Sequence, residues 1–305
     1  MIRVVMFDLG QTLVNANNVP FPHVREALGT VATFTTAGGK PLRSCLVSNF
    51  LMPTPPVTPV KIKALFNDYL AILDQAGLRQ FFEPVDRRVT LSTHAGVSKP
   101  HRKIFEKALH RLRVKVPLNQ CLLVTEETSH IQAVRQSLGM QTLQFRSSGS
   151  PGFDFKDWAQ APMLIANLVS PHQHANTEAA VKMHLAATHG VDLVSVAPSS
   201  TAEAIKVGAQ VWHPISVSGF DNLQDVLVAI PVEGELIRGP KGEVKSVVVG
   251  KPTDKHVAEA ASYVRSLAKH GQIAGVGQST LGVTHEIKKD EKGNRKLIRR
   301  GFSVA

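Results

Sequence analysis

Val4-Val5-Met6-Phe7-Asp8-Leu9-Gly10-Gln11-Thr12-Leu13 is the stretch on which the fold turns. From Ile2 to Phe7 every residue but Arg3 is apolar, and the run closes at Asp8-Leu9-Gly10. An apolar run without alternation reads as a strand buried on both faces, as in a parallel sheet. In an open sheet of that kind ligands sit outside the carboxyl ends of the strands. Asp8 is therefore placed where chemistry would occur.

Working outward, the pattern repeats. Residues 21–37 carry helical spacing, and Lys40-Pro41 leads into the run Cys45-Leu46-Val47, which ends at Ser48-Asn49. Met52 to Pro59 holds four prolines and reads as a stiff surface loop, because each proline removes a backbone donor. Val60 to Ala76 shows a strong 3.6-residue period with Gly77 as its stop. Val89 to Leu91 is a short strand, 101–113 an amphipathic helix, Cys121 to Val124 a strand, Ile131 to Leu138 a helix and Thr142 to Phe145 a last strand. Strands alternating with helices on short connections imply a doubly wound, Rossmann-like α/β sheet covered on both faces.

Arg146 to Gly152 is rich in Ser and Gly and reads as a linker, which puts a first domain at 1–150 and a second, smaller α/β or α+β domain at 151–305. In the second, 157–168, 177–189, 199–207 and 254–269 read as helices, with Thr253 capping the last. The spans 191–196 and 211–217 read as strands, and 223–237 with 243–249 and 286–289 with 296–299 as hairpins. A total of 305 residues suits two domains better than one core.

Cys45 and Cys121 sit in apolar runs and read as buried free thiols, in keeping with a reducing cytoplasm. No secretory signal and no membrane-length apolar window is expected. The net charge of +11 and pI near 9.8 point to an anionic partner. The excess is partly gathered at Lys288-Lys289 and Arg299-Arg300, with no interleaved aromatics to stack bases, so nucleic acid is the lesser reading. His172, His174, His184, His189 and His213 lack the spacing of a metal site. The oligomeric state is not legible.

Four segments share order and spacing with a known family. Val4 to Leu13 resembles the first motif of the haloacid dehalogenase (HAD) superfamily, a strand followed by D-x-D-x-T. Leu46-Val47-Ser48-Asn49 resembles the second. Gly77-Leu78, Phe81-Phe82-Glu83 and Gly96-Val97-Ser98-Lys99-Pro100 resemble the third, and Leu122-Leu123-Val124-Thr125-Glu126-Glu127 the fourth. The resemblance spans about the first 145 residues and implies a Mg²⁺-dependent phosphatase working through a covalent aspartyl-phosphate. Asp8 would be the nucleophile. Asp8, the Gly10 carbonyl, and Glu126 or Glu127 would hold Mg²⁺. Ser48 and Lys99 would meet the phosphoryl oxygens, and Thr12 and Asn49 would support substrate binding.

Two departures stand out. The family's general acid, two residues after the nucleophile, is replaced by Gly10. The usual Gly-Asp of the fourth motif is Thr125-Glu126, with His130 or Ile131 where a second aspartate would follow. The extra methylene of glutamate displaces its carboxylate by about 1.5 Å, and Mg²⁺ tolerates that poorly. The alternative is a catalytically silent HAD-like scaffold that binds an anionic or macromolecular partner. Dehalogenation, which needs no acid, is a third and weaker reading. Neither interval between motifs has room for a full cap domain, which leaves 159–305 as the candidate lid.

Overall fold

The computed structural model describes residues 1–146, 153–170, 174–196, 204–279, 281–290 and 292–300. Its first sheet is built by β1 (Val4–Phe7), α1 (Val24–Ala32), β2 (Arg43–Ser48), α2 (Pro59–Gln75), the single turn α3 (Val85–Arg88), β3 (Val89–Leu91), the single turn α4 (Ser92–Ala95), α5 (Arg102–Arg111), β4 (Cys121–Thr125), α6 (Thr128–Leu138) and β5 (Gln141–Gln144). The order across the sheet is β3-β2-β1-β4-β5, with every pair parallel. This is the Rossmann-like doubly wound α/β arrangement. The chain winds outward from β1 to β3, then returns to β4 on the other side of β1. The reversal opens a crevice at the carboxyl ends of β1 and β4. Among the described residues only α1 lies between β1 and β2, and only α2 and short helical turns between β2 and β3.

The two faces of the sheet are both buried, as unbroken apolar strands require. Val4, Met6, Cys45, Val47, Cys121 and Leu123 point to one face, under Ile104, Phe105 and Ala108 of α5. Cys45 and Cys121 are free thiols in this cluster, on strands that flank β1. Burial raises both thiol pKa values, that of Cys121 to about 12. On the other face Phe7 meets Phe82 and Trp158 at centroid distances of 6.4 and 6.2 Å. Helix ends follow the residues that permit them. Thr58 caps α2, its side chain accepting from the Lys61 amide at 3.3 Å. Gly139, at φ 64°, ends α6 in the left-handed conformation. Helix α5 begins at Arg102 behind a His101 cap, so Lys99-Pro100 lies in the turn before it.

The chain divides into two compact units, Met1–Ala187 with Gly239–Val244, and Thr188–Arg238 with Lys245–Ala305. The division falls well beyond residue 150. Most of the expected linker, 147–152, lies outside the described residues. On its far side the chain is held by the first sheet: the Gln144 amide donates to Asp154 Oδ2 at 2.8 Å and the Arg146 amide to the Phe155 carbonyl at 3.0 Å. Trp158 is only 1% exposed and packs on Phe145 and Phe155. Each large apolar side chain buried in this way contributes roughly 1.5–3 kcal/mol. Helix α7 (Ala161–Val169) is buried nearly all round, and α8 (His174–His189) is tied by Asn176, whose amide donates to the Thr35 carbonyl at 2.8 Å. A Ser/Gly composition records ease of turning and not a loss of packing afterwards.

The second unit is α+β. Strands β6 (Asp192–Val196), β7 (Ala204–Ile215), β8 (Val226–Arg238), β9 (Val244–Val249), β10 (Ile273–Ala274), β11 (His285–Lys289) and β12 (Arg295–Arg299) form one sheet in the order β10-β11-β12-β8-β7-β6, with β9 also paired to β8. Helix α9 (Asp254–Lys269) starts at Thr253, whose side chain accepts from the His256 amide at 3.3 Å. Val264 of α9 joins Ile215, Val228, Ile230 and Leu297 in one core. The helix expected over 199–207 is overturned from Ala204 onward; 199–203 lie outside the described residues. Ile205, Val207 and Ala209 are buried on one face of β7, a period of two. Among the described residues no helix is long and apolar enough to cross a membrane.

His94 carries a pH dependence into the first unit. Its ring accepts the Leu91 amide at 3.1 Å through Nδ1, and stacks edge-on against Phe66. Burial, with Arg111 and Lys107 nearby, lowers its pKa from 6.5 to about 4. The unfolded chain therefore binds the extra proton first, and stability falls as pH drops from 6.5 towards 4. The expected loss is on the order of 1 kcal/mol, discounted for partial solvent screening. Urea unfolding of the intact chain and of His94→Asn, which keeps an acceptor but cannot titrate, measures it. The slope should be smaller in the variant.

Candidate active site

The crevice is built from loops that follow strands. The Asp8 amide donates to the Val124 carbonyl at 3.0 Å, which carries the sheet one residue past β1. The chain then turns sharply, with the amides of Thr12, Leu13 and Val14 all converging on the Leu9 carbonyl at 3.2, 2.8 and 3.1 Å. Trp158 pins this loop by donating from Nε1 to the Thr12 carbonyl at 3.0 Å. The Asp8 side chain is held above it, with the residue 7% exposed.

Four groups meet the Asp8 carboxylate. Lys99 Nζ lies 2.5 Å from Oδ2, and the lysine side chain is 1% exposed. Thr125 Oγ1 donates to Oδ2 at 3.0 Å. The Leu9 amide donates to Oδ1 at 2.9 Å, and Ser48 Oγ makes a longer contact to Oδ1 at 3.4 Å. Beyond its ion pair the buried Lys99 ammonium has no hydrogen-bond acceptor among the described residues. It therefore has N–H groups to offer an incoming anion. Lys99 is fixed by Asn49, whose Oδ1 accepts the Lys99 amide at 2.7 Å and whose Nδ2 donates to the Lys99 carbonyl at 3.4 Å. Asn49 thus braces the lysine from the rim.

Glu126 borders the same crevice. Its carboxylate accepts the Thr12 hydroxyl in a very short contact, and the Thr125 hydroxyl lies 3.4 Å from it. The Glu126 amide donates back to Thr12 Oγ1 at 3.1 Å. Thr12 thereby ties the loop after Asp8 to Glu126. Burial raises the Glu126 pKa, and the Asp8 charge adds to the effect. Glu127 points elsewhere. It caps α6, accepting the Ser129 amide at 3.1 Å and the Ser129 hydroxyl at 2.8 Å, and these bonds lower its pKa. A carboxylate used at a helix N-terminus is in a favourable place already. Gly10 is exposed on the rim beside Asp8.

Three contributors carried no assigned role in the sequence. Thr125 supplies a hydroxyl to Asp8, and its position at a strand end was the available signal. Trp158 lies far along the chain, and nothing local announces its bond to Thr12. His130, in the first turn of α6, has a half-buried ring beside the Lys99 backbone. Burial lowers its pKa, the Lys99 charge adds to this, and Asp8 and Glu127 oppose it.

No family model matches the chain, and no curated protein matches it. Among solved structures, an uncharacterized protein from Corynebacterium glutamicum is similar at 16% identity and a TM-score of 0.30, over 48% of this chain and 86% of its own. A HAD-hydrolase candidate, YfnB from Bacillus subtilis, bound to magnesium, is similar at 11% identity and a TM-score of 0.35, over 55% of this chain and 99% of its own.

Proposed function

We propose that this chain is a Mg²⁺-dependent phosphohydrolase of HAD type that works through a covalent intermediate on Asp8. The observation that carries the reading is the buried Lys99–Asp8 pair, 2.5 Å apart at the carboxyl rim of a parallel sheet and flanked by Ser48 and Thr125. A structural ion pair needs no such rim, and burying one gains little stability over an apolar pair. An ammonium with free donors beside a carboxylate suits an anionic substrate.

The donor set fits a small hard cation. Asp8 and Glu126 bring two carboxylates to the crevice against one ammonium from Lys99; burial raises the Glu126 pKa, and the Asp8 charge adds to this. Among the described residues no group of three or more His, Cys, Asp or Glu gathers to enclose a metal. Mg²⁺ keeps several waters and is commonly bound by one or two carboxylates together with substrate phosphate, so two suffice. Asp8, Glu126 and the Gly10 carbonyl would hold it. When bound, it would supply charge neutralisation at the phosphoryl oxygens.

The chain's own groups supply the rest. Lys99 and Ser48 bind the phosphoryl oxygens and set the phosphorus before Asp8. An Asp8 oxygen attacks, the P–O bond to the leaving group breaks, and its electron pair leaves with that oxygen. Water then attacks the aspartyl-phosphate, releasing inorganic phosphate and restoring the carboxylate. With Gly10 in place of an acid, leaving groups that depart as stable anions are favoured.

The test is hydrolysis of an aryl phosphate with Mg²⁺ and with chelator, beside a thermal melt over the same Mg²⁺ range. Turnover should require the cation. At ten times its Kd the ion should stabilise the chain by roughly 1.4 kcal/mol, a shift of a few degrees, and Glu126→Gln should lose that shift. Turnover at background, together with a melt indifferent to Mg²⁺, would support the silent scaffold instead.

A further inference from the structure

The amino ends of the same strands hold a second feature, and it does not depend on the Asp8 reading. A cavity of about 270 Å³ opens where the chain enters β1, β2 and β4. Arg3, Lys40, Arg43 and Lys115 line it, together with Val114 and Val116, and no carboxylate does. Arg3 and Arg43 are neighbours across the sheet: Arg43 pairs with Val4, and the Arg43 amide donates to the Arg3 carbonyl at 3.3 Å. Arg3 precedes β1 and Arg43 opens β2, and both line the cavity. Lys40 comes from the loop before β2, and Lys115 from the segment before β4. None of the four takes part in an ion pair among the described residues.

Four unpaired cations around one concavity repel one another. What sets these four apart is their gathering around one cavity that no carboxylate lines. We propose that this cavity binds a short phosphate chain, either free oligophosphate or the phosphate tail of a nucleotide. Two guanidinium groups offer forked donors that match phosphate oxygens, and two ammonium groups add charge without demanding orientation. No aromatic side chain lines the cavity, so nothing is built to stack a base. The volume suits a few linked phosphates. The site lies across the sheet from Asp8, so its occupant is a bound effector and not the group being hydrolysed.

The experiment is calorimetric titration of the full chain, without Mg²⁺, using inorganic tripolyphosphate, ATP and adenosine as probes. One molecule of tripolyphosphate should bind per chain, with affinity falling steeply as salt rises. Similar binding of ATP assigns the site to the phosphate tail in either source; adenosine should not bind. Arg3→Gln/Arg43→Gln should weaken tripolyphosphate at least about tenfold, while Lys63→Gln, an exposed lysine on α2, should not. Lys40→Gln/Lys115→Gln, changed only in loops, provides the same test if the strand variant folds poorly. No binding up to millimolar probe overturns the proposal. So does equal weakening by Lys63→Gln, which would mean diffuse charge, or loss through Ser48→Ala, which would put the anion in the Asp8 crevice. Tighter binding of a single-stranded oligonucleotide than of tripolyphosphate would replace the small ligand with nucleic acid.

Discussion

Asp8→Asn is expected to abolish aryl-phosphate turnover, a fall of at least about 10³-fold, because the amide removes the attacking oxygen. The same change strands the Lys99 ammonium, whose side chain is 1% exposed and which among the described residues pairs with Asp8 alone. Breaking a buried pair from one side typically costs 3–5 kcal/mol, so about that loss is expected in urea unfolding. Lys99→Met breaks the pair from the other side and leaves Asp8 and Glu126 facing each other without a cation. It should lose turnover and stability alike. The double variant Asp8→Asn/Lys99→Met separates the two roles. With both charges gone, stability should return to within about 1–2 kcal/mol of the starting protein, while turnover stays at background. A merely structural pair would show the same stability cycle with no activity to lose at the outset. Turnover that survives Asp8→Asn in a folded sample would remove Asp8 from the chemistry.

The sequence allows this cycle to be designed because backbone position was legible in it. Ile2 to Phe7, Cys45 to Val47 and Cys121 to Val124 are short, apolar and unalternating, so their place in a buried parallel sheet follows from burial alone. Asp8 and Ser48 then meet because strand ends share one rim, and Lys99 joins them from the turn before α5. Side-chain partners were less legible. Asn49 and Thr12 stand at the rim as expected, yet each turns to a protein group: Asn49 to the Lys99 backbone and Thr12 to Glu126. Glu127 is adjacent to Glu126, but the start of α6 sets its direction, and the Ser129 amide claims it. A motif fixes where a Cα lies; rotamers answer to neighbours brought from elsewhere in the chain. The same limit explains β7. Ser199 to Ala204 is rich in small residues that suit a helix, whereas the alternation of Ile205, Val207 and Ala209 was already that of a strand. The later boundary of the first unit has a similar origin, since Trp158 and α7 find their partners through contacts distant in sequence.

Gly10→Asp should act in the opposite direction and raise activity. Position 10 stands two residues after the proposed nucleophile, on an exposed rim, and a Cβ added there meets nothing within 4 Å. Its φ lies outside the left-handed region, so an L side chain carries no backbone strain. A carboxyl group at this point can reach the departing oxygen on the side away from Asp8 and give it a proton as the P–O bond breaks. Such help is typically worth 10²–10⁴-fold, and only for leaving groups that need it. The expected result is therefore selective: turnover of an alkyl phosphate rises by about 10²-fold or more, while that of an aryl phosphate with a stable leaving anion changes little. The measurement is the ratio of kcat/KM for the two substrates in both proteins. A rise on both alike would mean that the new carboxylate improves cation binding and not proton transfer. No rise on either would mean that the missing acid is not what limits this chain, and it would favour a crevice that binds its anion without cleaving it.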